Sequence, residues 1–307
     1  MPRTPGGVSR RAFVGATLTT LTATAVAPGA LAASRGRPFG DTPIRQIPLQ
    51  GAVNVRDVGG YRGYGGRRVR HGLVYRSDAL SKITDADVTT LAGLGLGQVV
   101  DYRVPVELQY DGQDRLPAGL TATARPVADN GLYAQMMTAI GSKDPAKQEE
   151  LLGGGRGAAF MRTVYQQFVS NADNRTRFAD TLRDAAQGPG AGGALLYHCT
   201  SGKDRTGWTT YLLLRLLGVG ERDAVADYLA SNTFRAAYDA KVRAGLKQSG
   251  MMANPDLLIP LQEVRTEYLQ SALDQVRTDY GSLGRYVSEG LGLDHRAVGA
   301  LRTRLLD

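Results

Sequence analysis

The chain has 307 residues, with 37 Lys and Arg against 29 Asp and Glu, a formal net charge of +8 and one cysteine. A single cysteine excludes an intrachain disulfide framework, and no Lys/Arg block with interleaved aromatics marks a nucleic-acid-binding surface. At 42% hydrophobic residues, the composition is that of a globular chain able to bury one full-sized core.

Residues 1–32 read as an address and not as part of the fold. Ser9-Arg10-Arg11-Ala12-Phe13-Val14 carries twin arginines, and an uncharged Ala/Thr/Leu stretch then leads to the small-residue pattern Ala30-Leu31-Ala32. This is similar to a twin-arginine export signal cleaved after Ala32 or Ala33, so the protein is expected to be exported or secreted. Many threonines and the Pro28 break make the stretch a poor membrane span, and no later segment is apolar enough to cross a bilayer. Without Arg3, Arg10 and Arg11 the charge falls to +5 on about 275 residues. That mild excess favours anionic partners in general. Residues 33–45, rich in Gly, Arg and Pro, read as a linker, and residues 46–307 as one domain.

Within that domain, residues 44–49 alternate like a strand entering from the linker, and Asn54-Val55-Arg56-Asp57-Val58-Gly59-Gly60-Tyr61 follows with a sharp glycine turn. Adjacent Arg56 and Asp57 are expected to form a structural ion pair. Residues 73–77 read as a strand and residues 85–94 as a helix N-capped by Thr84. Gly93-Leu94-Gly95-Leu96-Gly97 precedes the strand at 98–102 instead of following one, which excludes a dinucleotide fingerprint. Asp101, Arg103 and Glu107 stand at that strand's end, placed to pair with each other or to brace a neighbouring loop. A strand at 121–127 delivers Asp129 to a loop, where it is a candidate acid and equally a candidate cap for a helix at 132–140. Residues 141–157 are polar and glycine-rich and read as a flexible surface loop. Helices at 160–168 and 175–186 follow, then the Gly188-Pro189-Gly190 break.

The apolar run Ala194-Leu195-Leu196-Tyr197 predicts a buried strand, and residues 208–217 a helix ending at Gly218. Between them lies Tyr197-His198-Cys199-Thr200-Ser201-Gly202-Lys203-Asp204-Arg205-Thr206-Gly207. A loop that ends a strand and opens a helix points unpaired N–H groups at one spot, where the helix dipole also favours an anion. The same field favours a thiolate at Cys199, and Arg205 can curl back to grip two phosphate oxygens. A nucleotide-binding P-loop is excluded, because Asp204 follows Lys203 where Ser or Thr would be needed. Beyond the loop, residues 223–230, 234–252 and 261–280 have helical spacing, and residues 282–306 read as two more helices, the last capped by Asp294.

Cys199 and Arg205 six positions apart, with His198 before, Gly202 inside and Thr206-Gly207 after, resemble the signature of the cysteine-dependent bacterial tyrosine phosphatases. The segments at 54–61, at Asp101, Arg103 and Glu107, and at 227–232 resemble the same branch. The resemblance implies one α/β domain with a central sheet of about four or five strands, helices on both sides and the phosphate loop after a middle strand. It implies a helical lid at 231–262 that shields the nucleophile. It also implies a phosphomonoester hydrolase working through a cysteinyl-phosphate, with Cys199 as nucleophile and Thr200, Ser201, Gly202, Lys203, Asp204 and Arg205 binding the phosphate. Asp204 or Asp129 would be the general acid, with His198 and Thr206 in support. Phosphotyrosine in a protein is the first expected substrate and a phosphoinositide or inositol phosphate the second. No cofactor is called for, and His71, His198 and His295 lack metal-ligand spacing. A non-catalytic phosphate-binding module would have lost Cys199 or Arg205, and an arsenate reductase would need a second thiol that this chain lacks.

Overall fold

The structure, a computed structural model, describes residues 44–190 and 193–307. The expected export signal and nearly all of the expected linker lie outside the described residues. Six strands form one sheet: β1 (Arg45–Gln46), β2 (Arg56–Asp57), β3 (Val74–Ser77), β4 (Leu96–Asp101), β5 (Ala122–Ala124) and β6 (Ala194–His198), in the order β1-β2-β3-β6-β4-β5. The last four are mutually parallel, and β1 and β2 extend the β3 edge antiparallel. β6 is therefore the middle strand, which the sequence placed there. The sixth strand is β2, only two residues long and too short to carry a periodic pattern.

β6 is buried along its whole length. Its alternation sets the two layers: Leu195 and Tyr197 face the larger core, and Ala194 and Leu196 the smaller. A strand buried on both faces reads as a continuous apolar run for this reason. The smaller core lies under α1 (Asp85–Ala92), which the Thr84 and Asp87 capping box starts. The larger core is built from α5 (Arg156–Ser170), α6 (Ala172–Gln187), α7 (Arg205–Leu216), α8 (Glu221–Gln248), α10 (Thr266–Tyr280) and α12 (His295–Leu305). Trp208, Phe168 and Phe178 fill it. Short helices α2 (Pro105–Asp111), α9 (Ile259–Gln262) and α11 (Leu283–Arg285) complete the set, with α3 and α4 described next.

Three sequence expectations are corrected. Residues 141–157 are not a flexible loop. α3 (Leu132–Ser142) extends into the stretch, and α4 (Pro145–Leu152) occupies its middle, with Pro145 at the first helical position and the Asp144 side chain accepting from the Ala146 N–H. Lys143 and Asp144 turn the chain between the two helices and Gly153, Gly154 and Gly155 turn it after α4, and buried Gln148 donates to the Met251 carbonyl at 2.8 Å, which pins α4 to the far part of the fold. Polar composition misled because a capped two-turn helix needs few apolar residues. Second, Arg56 and Asp57 do not pair, since neighbours in a strand point to opposite faces. Arg56 reaches Asp227 on α8, whereas Asp57 accepts from the Gly59 and Gly72 N–H groups and meets His71. Third, the stretches at 223–230 and 234–252 are one 28-residue helix, α8, and the helix expected at 261–280 begins at Thr266.

Candidate active site

The loop between β6 and α7 is shaped by what its carbonyls bind. The Thr200 carbonyl accepts from the Ala79 N–H at 3.1 Å. The Ser201 and Gly202 carbonyls both accept from Asn54 Nδ2 at 3.0 Å, and Gly202 also from Arg76 Nη2 at 2.8 Å. With the carbonyls drawn outward, no acceptor among the described residues takes the N–H groups of Thr200, Ser201, Gly202, Lys203 or Asp204. Five unpaired donors beside a helix N-terminus make an anion cradle. Gly202 is required here twice over. Its φ of +62° lies in the left-handed region, and a Cβ would stand 2.3 Å from the Ser77 carbonyl oxygen.

Behind the cradle, Asp227 is fully buried between two arginines, accepting from Arg76 Nη1 at 2.6 Å, from Arg56 Nη2 at 3.2 Å and from Tyr61 at 3.0 Å. Burial opposes its charge, yet Arg56 and Arg76 hold its carboxyl below the ordinary range. Arg56 also donates to Asn54 Oδ1 at 2.5 Å, so the 54–61 segment acts as the mount of the phosphate loop.

Cys199 lies at the cradle's base, 1% exposed. Burial pushes its thiol up, but the Arg205 guanidinium and the Thr206 hydroxyl, which donates to Sγ at 3.3 Å, bring it below the usual value. The balance favours a thiolate. Arg205 is oriented by Glu107: Nη1 donates to Oε2 at 2.7 Å and Nη2 to Oε1. Nη1 also reaches the Tyr102 carbonyl at 3.2 Å. Glu107 Oε1 takes the Thr200 hydroxyl at 2.5 Å as well, so one carboxylate fixes both clamp and loop. Glu107 is itself buried and held below the carboxylate range by Arg205 in spite of that burial. The sequence left Glu107 either to pair with Asp101 and Arg103 or to brace the loop, and in the structure it bonds Arg205 and Thr200.

His198 is buried and does not touch the sulfur. Its Nε2 meets Asp114 Oδ2 at 2.9 Å, and Nδ1 lies 3.4 Å from the Cys199 carbonyl. Burial would lower its pKa, but the charge and hydrogen bond of Asp114, with Asp101 behind, raise it to about 9. Asp101, Asp114 and His198 converge closely enough to suggest metal ligands. Arg103 already fills that space, with Nη2 at 2.8 Å from both Asp101 Oδ2 and Asp114 Oδ1. Asp101 and Arg103 pair as the sequence suggested. Asp114 carries no pattern of its own, and the fold alone brings it here.

The two candidate acids differ in their surroundings. Asp129 accepts from the Gly131 N–H at 3.0 Å and the Tyr133 N–H at 2.9 Å, so it caps the start of α3. Asp204 accepts from Lys203 Nζ at 2.7 Å and from the Tyr165 hydroxyl at 2.9 Å. Tyr228 in turn donates to Tyr165 at 2.8 Å. Tyr165 went unnoticed in the sequence because it sits among core positions of α5. Lys203, 2% exposed, also reaches the Glu263 carbonyl at 3.4 Å. Arg235 Nη1 on α8 lies 3.4 Å from the Ser201 carbonyl, and Asn232 is bonded both ways to Val264. The 231–262 region is thereby tied to the loop.

A buried thiol favoured as thiolate, at the floor of an anion cradle and beside a braced guanidinium, defines a cysteine-based centre for phosphoryl groups. The chain belongs to the tyrosine phosphatase family, whose profile matches residues 47–307. By family and fold it is a protein-tyrosine phosphatase. It is 36% identical over 242 residues to a protein of Cupriavidus necator named as a candidate tyrosine-protein phosphatase, covering 78% of this chain and 82% of that one. It is 28% identical over 284 residues to the triple specificity protein phosphatase PtpB of Mycobacterium tuberculosis, covering 86% of this chain and 99% of that one. A tyrosine-protein phosphatase of Nostoc commune is 30% identical over 158 residues, 51% of this chain and 47% of that one.

Proposed function

We propose that the protein hydrolyses phosphotyrosine in proteins through a cysteinyl-phosphate intermediate. The observation that carries this reading is the convergence of five unbonded loop N–H groups, the Cys199 sulfur and Arg205. The Cys199 thiolate attacks phosphorus in line, forming the S–P bond as the ester P–O bond breaks. The loop N–H groups and Arg205 hold the three transferring oxygens throughout. Asp204 gives its proton to the leaving phenolic oxygen. In the second step it takes a proton from the water that attacks phosphorus and releases Cys199. Thr206 stabilises the departing sulfur through the hydrogen bond it already makes. His198, bonded to Asp114 and not to Sγ, orients the strand end and takes no proton from the cysteine. Asp204 is the preferred acid because it stands in the phosphate loop itself, beside the Cys199 sulfur on which it acts, whereas Asp129 is held at the start of α3 on a separate loop; the oxygens of both residues are already bonded in this structure. The 231–262 region is the cover over this site.

A phosphoinositide or inositol phosphate is the second reading, favoured by Lys203. It places a second cation in the phosphate loop, bonded to Asp204, and the similar chain of Mycobacterium tuberculosis bears the name triple specificity protein phosphatase, which supports a wider substrate range. The test is phosphate release from phosphotyrosine peptide, phosphoserine peptide and phosphoinositide, by wild type and Cys199→Ser. Wild type is expected to favour phosphotyrosine. The variant should lose turnover by about a thousandfold or more while still binding substrate, because a serine hydroxyl does not ionise at this site. Turnover by Cys199→Ser close to wild type would overturn the mechanism, and a preference for phosphoinositide would reverse the substrate order.

A further inference from the structure

A cavity of about 480 Å³ opens among α7, the 283–293 segment and α12, and none of its lining residues belongs to the phosphate loop. Its size lies in the range of small-molecule sites. The walls are apolar, with Leu212 and Leu216 from α7, Leu283 and Val287 from the middle segment and Val298 from α12. The charged and titratable lining side chains are all basic: Arg215, His295 and Arg302. Arg302 gives Nε to the Leu216 carbonyl and stacks its guanidinium 4.4 Å from the centre of the Tyr64 ring, which fixes that cation at the edge of the cavity. Arg215 spends Nη1 on the Val219 carbonyl, and its Nε is buried with no partner among the described residues. That N–H is enclosed by protein, as are those of Arg76, Arg177 and Arg235, so what Arg215 presents to the cavity is the charge of its half-buried side chain.

The glycines supply an independent observation. Gly299 stands inside α12 with a helical backbone, and a Cβ there would meet nothing within 4 Å. Glycine weakens a helix interior relative to alanine, and neither close packing nor positive φ requires it at this position. Gly284, on the opposite wall, has only the Ser282 hydroxyl at 3.9 Å. Both glycines widen the cavity, and a bound molecule gives that width a use.

We propose that this cavity binds a small amphipathic anion, a molecule with an aliphatic or aromatic body and one carboxylate or similar acidic group. The body fills the Leu212, Leu216 and Val287 surface, and the acid meets Arg215 and Arg302. The site is separate from the phosphate loop, so a catalytic inhibitor need not displace the ligand.

The probe is decanoate, with decanol as its uncharged counterpart, measured by calorimetry on the full chain in the presence of saturating inorganic phosphate. Decanoate is expected to bind at one site per chain, at least tenfold more tightly than decanol. Gly299→Trp should weaken binding at least tenfold while turnover of an aryl phosphate is unchanged. Arg215→Gln, which still can donate to the Val219 carbonyl, should bring decanoate down toward decanol. Absence of saturable decanoate binding, full affinity in Gly299→Trp, equal affinity for decanol, or loss of binding on adding phosphate would each overturn the assignment.

Discussion

At the scale of single residues, the site is a set of charges each answered by a partner, some within the loop and others from distant parts of the chain. Cys199 is set against Arg205, Arg205 against Glu107, His198 against Asp114 and Asp204 against Lys203 and Tyr165. The acid assignment is the one that chemistry can separate most cleanly. A leaving group stable as an anion needs no proton, and an alkoxide does, so loss of the true acid harms poor leaving groups selectively. Asp204→Asn is expected to slow an alkyl phosphate by about a hundredfold and p-nitrophenyl phosphate by less than about tenfold. Asp129→Asn should slow both alike and lower the melting temperature, since it weakens the start of α3. Rates for the two substrates with both variants decide the matter, and the opposite pattern would make Asp129 the acid. The sequence named both residues, but only the partners in the fold distinguish them.

At the scale of elements, the sheet and α8 are joined through one buried carboxylate. Asp227 comes from the long helix, Arg56 from β2 and Arg76 from β3, and Arg76 goes on to hold the Gly202 carbonyl. Asp227→Asn would keep the shape and leave two fully buried guanidiniums facing a neutral amide. The expected destabilisation is about 3 to 5 kcal/mol, read from the urea midpoint. Tyr61→Phe removes one donor from the same carboxylate and should cost about 1 kcal/mol. A loss in Asp227→Asn no larger than in Tyr61→Phe would show that the arginines find other partners. Resemblance marked residues 54–61 and 227–232 as signature segments, but their meeting was not legible. An ion pair 171 residues apart in sequence leaves no local periodicity. The 141–157 stretch failed for a related reason, because α4 is held by Gln148 on Met251 and, on the apolar side, only by Leu151 and Leu152 at its end.

At the scale of the whole molecule, the parallel core of the sheet, β3-β6-β4-β5, carries the phosphate loop at its centre, and stability and site share the same buried charges. His198 gives this a pH dependence. Its pKa rises from 6.5 to about 9 on folding, in spite of burial, through Asp114 and Asp101. A raised pKa means that the folded state binds the proton more tightly. The stabilisation, about 3 kcal/mol, is therefore complete below pH 6.5 and is lost as pH rises through about 9. Wild type should lose more stability between pH 7 and 10 than His198→Gln does, measured by denaturant midpoints. Parallel curves would show that the imidazole is neutral in the fold. The sequence by itself picked out the candidate nucleophile and clamp, the central strand and the helix after it, because a strand, a tight loop and a helix are local and their residue types are chemically constrained. It also offered Glu107 as a brace, beside the alternative of a pair with Asp101 or Arg103. Which carboxylate holds the histidine, what mounts the loop from behind, how Asp204 is bonded and that a cavity lies among α7, α11 and α12 were decided only by tertiary structure. Those contacts join residues far apart in the chain, and no spacing rule connects them before the layers pack.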